Sequence, residues 1–299
     1  MTSAQIARKD FEDAVRSRMV WAVVGVFALL MVIIVAAAGT SDLSDSAATN
    51  VIAVFSNIGG QLLVPIIALM VGYMAIVGER ESGSLRMLFG LSHNRRDVFT
   101  GKLASRLGVI TVATLVACAV AVAMALVLFG SVPVVTFLGF IGITLLLGGT
   151  FTAIAVGVSA MTDSRMKAMG GAIGSYILFT MLWYPAVAGI HYVVEGDFAG
   201  YEAPNWYFFL LRLNPLEAYI QVTGSLADQF VWGIIGWQSI VEDIPNSALM
   251  DMNSLLLSNR VGGDLPFYLS DWFAVVTMLL WIAIPAVVGY RSFRDADLN

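Results

Sequence analysis

Long uncharged stretches divide this chain into hydrophobic and polar segments. Six of them contain no Asp, Glu, Lys, Arg or His: Val20–Ala38, Ile58–Val77, Leu107–Phe129, Val134–Met161, Ala168–Ile190 and Trp272–Tyr290. Each is long enough to cross about 30 Å of hydrocarbon as a helix that rises about 1.5 Å per residue. A membrane β-barrel would instead show short alternating segments. The pattern predicts an all-α integral membrane protein with six transmembrane helices.

The segment before the first span, residues 1–19, has the pattern of an amphipathic helix. Arg8 and Glu12 are one of several opposite-charge pairs four residues apart, while Phe11 and Val15 fall on another face. This pattern predicts an interfacial helix that lies on the membrane surface. An ordinary soluble cap helix is the alternative.

The largest non-spanning region, residues 195–270, is rich in aromatic side chains and predicts a small subdomain on the outer side. Within it, Phe230–Val241 is too short to span the membrane, and its tryptophans favour a helix at the outer interface. A short outer loop is predicted for Thr40–Asn57.

The positive charges lie almost entirely on one side of the predicted spans. Of the 16 Lys and Arg residues, 14 fall in the two termini, in residues 78–106 and in residues 162–167, and only Arg212 and Arg260 lie opposite. By the positive-inside rule, both termini are predicted to be cytoplasmic, with the protein in the cell membrane. Three lysines against thirteen arginines are typical of a salt-adapted or GC-rich prokaryote.

Two spans carry small residues at every fourth position, where another helix can approach closely. In the third span the stripe consists of Ala113, Ala117, Ala121 and Ala125, and in the fifth of Gly170 and Gly174. Either stripe could pack within the chain or between two chains. Intrachain packing is the expectation for both.

The composition excludes several classes of chemistry. The uncharged spans offer no group to bind a coupling ion, and the chain has no HExxH, GxSxG or Walker A sequence. The one cysteine, Cys118, lies inside a span. We therefore predict a protein that is not an enzyme, without a catalytic, metal or cofactor site and without a nucleic-acid partner. Any energy for work must come from another subunit.

The loop at residues 78–106 is the natural docking surface. Leu85, Leu88 and Phe89 fall at positions i, i+3 and i+4 and form a short apolar ridge. Asn94 has the character of an N-cap that restarts a helix leading into the third span. The alternative is that this basic segment lies on anionic lipid.

This loop resembles the signature of ABC-2-type transporter permeases. The resemblance rests on Glu79-x-Glu81-x-Gly83-Ser84-Leu85, followed by Arg96 and by Gly101-Lys102 at the entry to a span. It implies a membrane subunit that pairs as a homodimer or with another permease and is driven by two separate ATP-binding subunits. Membrane lipid is a further expected partner. The expected docking residues are Glu79, Glu81, Gly83, Leu85, Leu88, Phe89, Arg96, Gly101 and Lys102.

A second likeness concerns Leu213–Tyr219, which is similar to the asparagine-proline segment of the permease branch linked to maturation of a copper enzyme, nitrous oxide reductase. Met250 and Met252 have thioethers that suit Cu(I), although methionines at this spacing usually serve packing. Together with the uncharged spans, which favour a hydrophobic or chaperoned cargo over a small ion, the sequence predicts the membrane subunit of an ATP-driven exporter. The alternative is a non-transporting scaffold that recruits extracytoplasmic proteins.

Overall fold

The computed structural model describes residues 2–39, 47–83, 94–261 and 264–296. The α-helices in these ranges are α1 (Ser3–Val15), α2 (Arg18–Gly39), α3 (Ala47–Phe55), α4 (Val64–Gly72), α5 (Val77–Glu81), α6 (Arg95–Phe129), α7 (Val134–Met161), α8 (Arg165–Ile177), α9 (Trp183–Glu195), α10 (Asn205–Arg212), α11 (Pro215–Ala227), α12 (Gln238–Val241), α13 (Asn246–Met250), α14 (Leu257–Arg260) and α15 (Asp271–Asp295). Two π-helical segments, Ser56–Leu63 and Leu178–Leu182, join α3 to α4 and α8 to α9. Short 3-10 turns occupy Met252–Leu255 and Phe267–Leu269. The described residues contain no strand, only an isolated bridge between Gly200 and Asp243.

The all-α membrane fold predicted from the sequence is confirmed. By length and composition, five helical stretches among the described residues can cross a membrane, and α2 contains a sixth, shorter apolar stretch, Val24–Ala37. The expected loop at Thr40–Asn57 is wrong for its second half. Helix α3 already begins at Ala47, because the apolar pattern continues upstream of the uncharged core that defined the second span.

The helices around α7 pack closely because small residues allow their backbones to approach. A Cβ placed on Gly289 of α15 would lie 2.6 Å from the Cα of Gly157 in α7. Among the larger side chains of the core are Phe55, Phe140 and Phe151, which are all buried. Any side chain at Gly157 or Gly289 would therefore separate α7 from α15.

The two small-residue stripes behave differently. Ala113, Ala117, Ala121 and Ala125 of α6 are all buried, and the last three share a core with α2 side chains such as Phe27 and Met31. Their intrachain packing is confirmed. The expectation is wrong for Gly170 and Gly174 of α8, since a Cβ on either has no described atom within 4 Å.

Helices α10 and α11 form a hairpin that returns into the bundle. Asn214, at the tip, donates its side-chain N–H to Phe179 O at 2.7 Å, and Trp281 Nε1 donates to Leu213 O at 2.8 Å. Phe179 and Trp281 each lie at the middle of a predicted span. Asn214 Oδ1 also accepts a hydrogen bond from Leu216 N and so caps α11.

This hairpin corrects the inference that no ionisable group lies among the spans. Arg212 and Glu217 flank the tip residue Asn214, so both enter the bundle from the segment that was expected to be purely outer. Tyr219 of α11 is fully buried, and its hydroxyl lies 3.3 Å from Thr144 Oγ1 of α7. The error arose because charged residues in a long loop were taken to remain outside the membrane.

The two π-helical segments provide backbone acceptors that regular helices would not leave free. Gln61 O accepts from the hydroxyl of Tyr176, and Thr180 O accepts from Trp237 Nε1. The Gln61 side chain donates to Trp232 O at 2.8 Å and accepts from Ile234 N at 2.8 Å. These bonds hold a non-helical segment against the spans.

The helix predicted over Phe230–Val241 is therefore wrong for most of its length. Only Gln238–Val241 is helical, and the residues before it form an irregular segment bonded to Gln61 and Thr180. Its backbone groups find partners on the bundle, which removes the need for a helix to satisfy them. Trp237 anchors the segment by donating from Nε1 to Thr180 O, and the backbone carbonyl of Trp232 anchors it by accepting from Asn57 and Gln61.

The remainder of residues 195–270 is organised by a buried ion pair. Arg260 donates to Glu242 Oε2 at 2.8 Å and to the carbonyls of Tyr201 and Gly200. Glu242 Oε1 accepts from the hydroxyl of Tyr207 at 2.8 Å. Because both Glu242 oxygens and the Nε and Nη2 of Arg260 are hydrogen-bonded, the pair fixes the arrangement of distant chain segments.

Candidate functional site

All the described basic segments assigned to one side of the membrane meet at one end of the bundle, which we call the basic end. It is formed by α1, α5, the first turns of α6, residues 162–167 and the end of α15. Arg95 Nη1 of α6 donates to Phe293 O at 2.9 Å and Ala296 O at 2.7 Å. Arg80 Nη1 of α5 donates to Thr162 O at 2.7 Å. These bonds join segments that are far apart in the sequence.

Lys102 is the centre of an ion-pair cluster at the basic end. Its ammonium group contacts Asp10 Oδ1 at 2.7 Å and also pairs with Glu79 Oε1. Arg106, one turn further along α6, lies 3.3 Å from Asp10 Oδ2. The cluster therefore joins α1, α5 and α6, and it connects the two ends of the segment that contains the predicted docking ridge.

The cluster is largely removed from solvent, since the Lys102 side chain is only 6% exposed and that of Asp10 16%. Burial alone would raise the pKa of Asp10, but the charges of Lys102 and Arg106, with the hydrogen bond from Lys102, outweigh burial and hold that pKa below its ordinary value. Asp10 is thus ionised at neutral pH. Two carboxylates and two cations balance each other within the cluster.

A break in the second span directly precedes this cluster. Helix α4 ends at Gly72, a turn follows over residues 73–76, and α5 begins at Val77. The Oγ of buried Ser159 in α7 accepts from Ile76 N at 3.1 Å and Val77 N at 3.0 Å, so amides released by the turn have a partner. The second span is therefore a helix interrupted by a turn, and the amides at the end of that turn are hydrogen-bonded to α7.

A second ion pair connects α5 to the start of α8. Glu81 Oε2 lies 2.7 Å from Arg165 Nε, and Glu81 Oε1 accepts from Arg165 N at 2.7 Å. Helix α8 also has Ser164 as its N-cap. Because Glu79 pairs with α6 and Glu81 with α8, a displacement of α5 would act on both helices.

The structure brings some of the predicted docking residues together and leaves others apart. Glu79 pairs with Lys102, whereas Glu81 pairs with Arg165. Gly83 is exposed with a φ of 74°, a left-handed conformation that favours glycine. Arg96 is exposed on the first turn of α6. The remaining predicted residues, Leu85, Leu88 and Phe89, lie outside the described residues.

Gly101 has a packing role that its motif alone did not indicate. A Cβ at this position would lie 2.9 Å from Ile6 Cβ and 3.0 Å from Ser3 O, so only glycine lets α1 approach α6 here. Gly108, about two turns further along α6, is approached in the same way by the side chain of Phe11. The N-terminal segment is a helix, as predicted, and its buried face packs on α6.

Sequence reasoning missed Asp10, Ser159, Arg106 and Arg165 as members of this site. For Asp10, the available signal was an acid on a basic N-terminal helix whose intrahelical partners did not include it. Ser159, near the end of an otherwise apolar span, had the signal of an isolated polar residue. For Arg165, only the positive-inside count indicated a location near Glu81.

At the opposite end of the bundle, a cavity of about 450 Å³ lies beside α11 and is lined by charged and apolar side chains. Arg212, Glu217, Asp228 and Asp271 all contribute to its wall. In the described part of the chain, no group of three or more His, Cys, Asp or Glu side chains is arranged to hold a metal ion. Met250, one of the two methionines considered for Cu(I), is 88% exposed and is not among the residues that line this cavity.

Known proteins are similar to this chain along nearly its whole length. Residues 4–298 match the family described as ABC-2 family transporter protein. The chain is 33% identical over 251 residues to a probable ABC transporter permease protein NosY of Pseudomonas aeruginosa, covering 81% of this chain and 88% of that protein. It is 28% identical over 299 residues to the corresponding protein of Stutzerimonas stutzeri, covering 97% and 96% of the two chains. These relatives match the permease branch suggested by Leu213–Tyr219.

Proposed function

Because the chain belongs to the ABC-2 transporter family, and so is an ABC transporter membrane subunit, we propose that a separate ATP-binding subunit docks at its basic end and drives it. The observation that carries this proposal is the Lys102 cluster. It joins α1, α5 and α6 at both ends of the segment for which the sequence predicts an apolar ridge. A force applied to that segment would act on three helices at once.

The proposed route of coupling begins at α5. The turn at residues 73–76 lets α5 move relative to α4, while Glu79 and Glu81 carry that movement to α6 and α8. Helix α6 is 35 residues long and continuous, so displacement of its basic end is transmitted across the membrane. The acids of the family motif thus act within the chain as linkers behind the docking surface.

We propose the cytoplasm as the location of the basic end, since base-rich segments remain on that side. Transport is proposed to run outward. A hydrophobic cargo made inside the cell can reach the spans from the inner leaflet, and most exposed side chains of the spans are apolar. The alternative, a scaffold that recruits extracytoplasmic proteins, needs no nucleotide-dependent partner at the basic end.

The permease is proposed to work as a pair, with α8 at the contact between two copies. Gly170 and Gly174 present a small-residue stripe that no described residue covers, next to exposed Ile173 and Ile177. Close helix approach at such stripes is the usual means of association in lipid. Two copies would then place two docking surfaces side by side for two ATP-binding subunits.

The direct test is to isolate the tagged full-length chain from its native membrane in mild detergent. A subunit with Walker A and ATPase activity should remain bound. The Phe89→Asp variant should release it, because the new charge would enter an apolar contact. The matched variant Phe198→Asp changes an exposed phenylalanine at the opposite end and should retain it. Recovery of no ATPase, or transport by the chain alone without nucleotide, would contradict the proposal.

A further inference from the structure

The cavity beside α11 has the size of a small-molecule site. Its volume, about 450 Å³, falls in the range of roughly 300–1,000 Å³ typical of ligand pockets. It lies where the returning hairpin meets the start of α15, at the end of the bundle opposite the proposed docking surface. Part of its wall is apolar, with Phe208, Leu211 and Ile220 among the lining residues.

Arg212 supplies the observation that points to a ligand. The residue is 3% exposed, and its Nη1 donates to Ser270 O at 3.1 Å. Its Nη2 is also buried but has no hydrogen-bond partner in the part of the chain that the structure describes. A guanidinium group stays charged in proteins, and a buried charge without full compensation is unfavourable. Arg212 lines the cavity, so the part of the wall that it forms suits an anionic group.

Apart from Arg260, which is paired with Glu242, the other charged groups of the cavity wall have the opposite sign. Asp271 lines it while accepting from Gln221 Nε2 at 3.1 Å, and Asp228 is exposed at the C-cap of α11. Glu217 is partly buried and lines the same space. Carboxylates in this position suit an amine on the ligand. A purely anionic molecule would be attracted by Arg212 and repelled by the acids.

We propose that this cavity binds an amphiphile whose head group carries an anionic group next to an amine. The anion accepts a hydrogen bond from Arg212 Nη2, the amine faces Asp228 and Asp271, and the tail lies along Phe208, Leu211 and Ile220. Charge complementarity selects this zwitterionic class over a simple anion or cation. The site does not depend on docking of an ATPase, so binding is measured without nucleotide.

The test uses the full-length chain in dodecyl maltoside and titration calorimetry with three probes of equal tail length: decanoyl lysophosphatidylethanolamine, decyl phosphate and decylamine. The zwitterionic probe should bind most tightly, and decyl phosphate second. The Arg212→Met variant should weaken both about tenfold or more, since a charge-assisted hydrogen bond is lost. Arg212→Lys should restore part of the affinity by restoring the charge.

A second variant tests the cavity without altering Arg212. Ser225 is exposed and lines the cavity, so Ser225→Trp should fill it and weaken the zwitterionic probe about tenfold. The same change at Ser247, which is exposed and lies outside the cavity wall, should leave binding within about twofold. Native mass spectrometry then identifies the source of the ligand. Phosphatidylethanolamine retained by the wild type and lost from Ser225→Trp indicates a membrane lipid, whereas binding of the added probe alone indicates a soluble amphiphile.

The proposal is overturned if Ser225→Trp binds the zwitterionic probe as well as the wild type does. It is equally overturned if decylamine binds most tightly, because the acids would then dominate recognition. Unchanged binding by a folded Arg212→Met variant would also overturn it, because Arg212 would then make no contact with the anionic group. Loss of ATPase coupling in any of these variants would concern the transport proposal and leave this result unaffected.

Discussion

Lys102 is the residue on which the basic end depends most. Replacing it with methionine keeps the length of the side chain but leaves Asp10 and Glu79 facing each other without their shared cation. Breaking a buried ion pair in this way costs about 3–5 kcal/mol. We expect a clear fall in the melting temperature of Lys102→Met in detergent.

Lys167 offers a matched control, because its pair with Asp163 is a surface contact with both side chains more than half exposed. Such pairs contribute about 0–1 kcal/mol. Lys167→Met should therefore melt close to the wild type. Equal melting temperatures for the two methionine variants would show that the Lys102 cluster does not contribute to the stability of the fold.

Asp10 gives the cluster a defined pH dependence. Because the folded pKa lies below the ordinary value of about 3.9, the stabilisation by Asp10 is fully present above that value and is lost as pH falls through the folded pKa. The difference in melting temperature between wild type and Asp10→Asn should be constant from about pH 7 to pH 5 and shrink below about pH 4. A difference that stays the same down to about pH 3 would contradict this assignment.

At the scale of elements, the π-helical segment Ser56–Leu63 fixes the irregular segment that returns to the bundle. Gln61→Leu removes both side-chain bonds to it. Asn57 still donates to Trp232 O, so Ile234 N is the group that loses its hydrogen-bond acceptor. An unsatisfied buried amide costs about 1–3 kcal/mol. Amide exchange at residues 230–237 should accelerate in Gln61→Leu, while exchange in the core of α7 should not change. Unchanged exchange at Ile234 would show that this bond is dispensable.

Helix α8 tests the proposed pairing of two copies. In a background where buried Cys118 is replaced by alanine, Gly174→Cys should form a disulfide between copies on mild oxidation in the membrane. Gly142→Cys is the matched control, because a side chain there also meets no described atom but lies on α7. Cross-linking of Gly142→Cys alone, or of both variants equally, would place the contact elsewhere.

The elements also show what a sequence can and cannot predict here. The spans followed from uncharged runs, and the start of α6 followed from Asn94, which has the extended N-cap conformation although its side chain makes no cap hydrogen bond. The hairpin at Asn214 was not predictable from hydropathy, because Arg212 and Glu217 give it the composition of an outer loop. The polar Gln61 between apolar neighbours was the available signal that something polar approaches the second span.

For the whole molecule, helix α7 contacts both α5 at the basic end and the hairpin beside the cavity at the opposite end. Helix α7 supplies Ser159 to the jointed α4–α5 connection, Thr144 to the hairpin and Gly157 to the crossing with α15. A movement that enters at α5 is therefore resisted or transmitted by α7. Long-range contacts of this kind depend on tertiary packing, which is why the sequence revealed the family motif but not the network behind it.

The most direct test of the central claim is the ATPase rate of the partner subunit in liposomes with and without this chain. We expect the chain to raise that rate, Glu81→Arg to abolish most of the increase, and the double variant Glu81→Arg with Arg165→Glu to recover much of it, because the ion pair is restored in reversed order. An ATPase rate that is the same with the wild-type chain, with Glu81→Arg and with no chain at all would contradict the account.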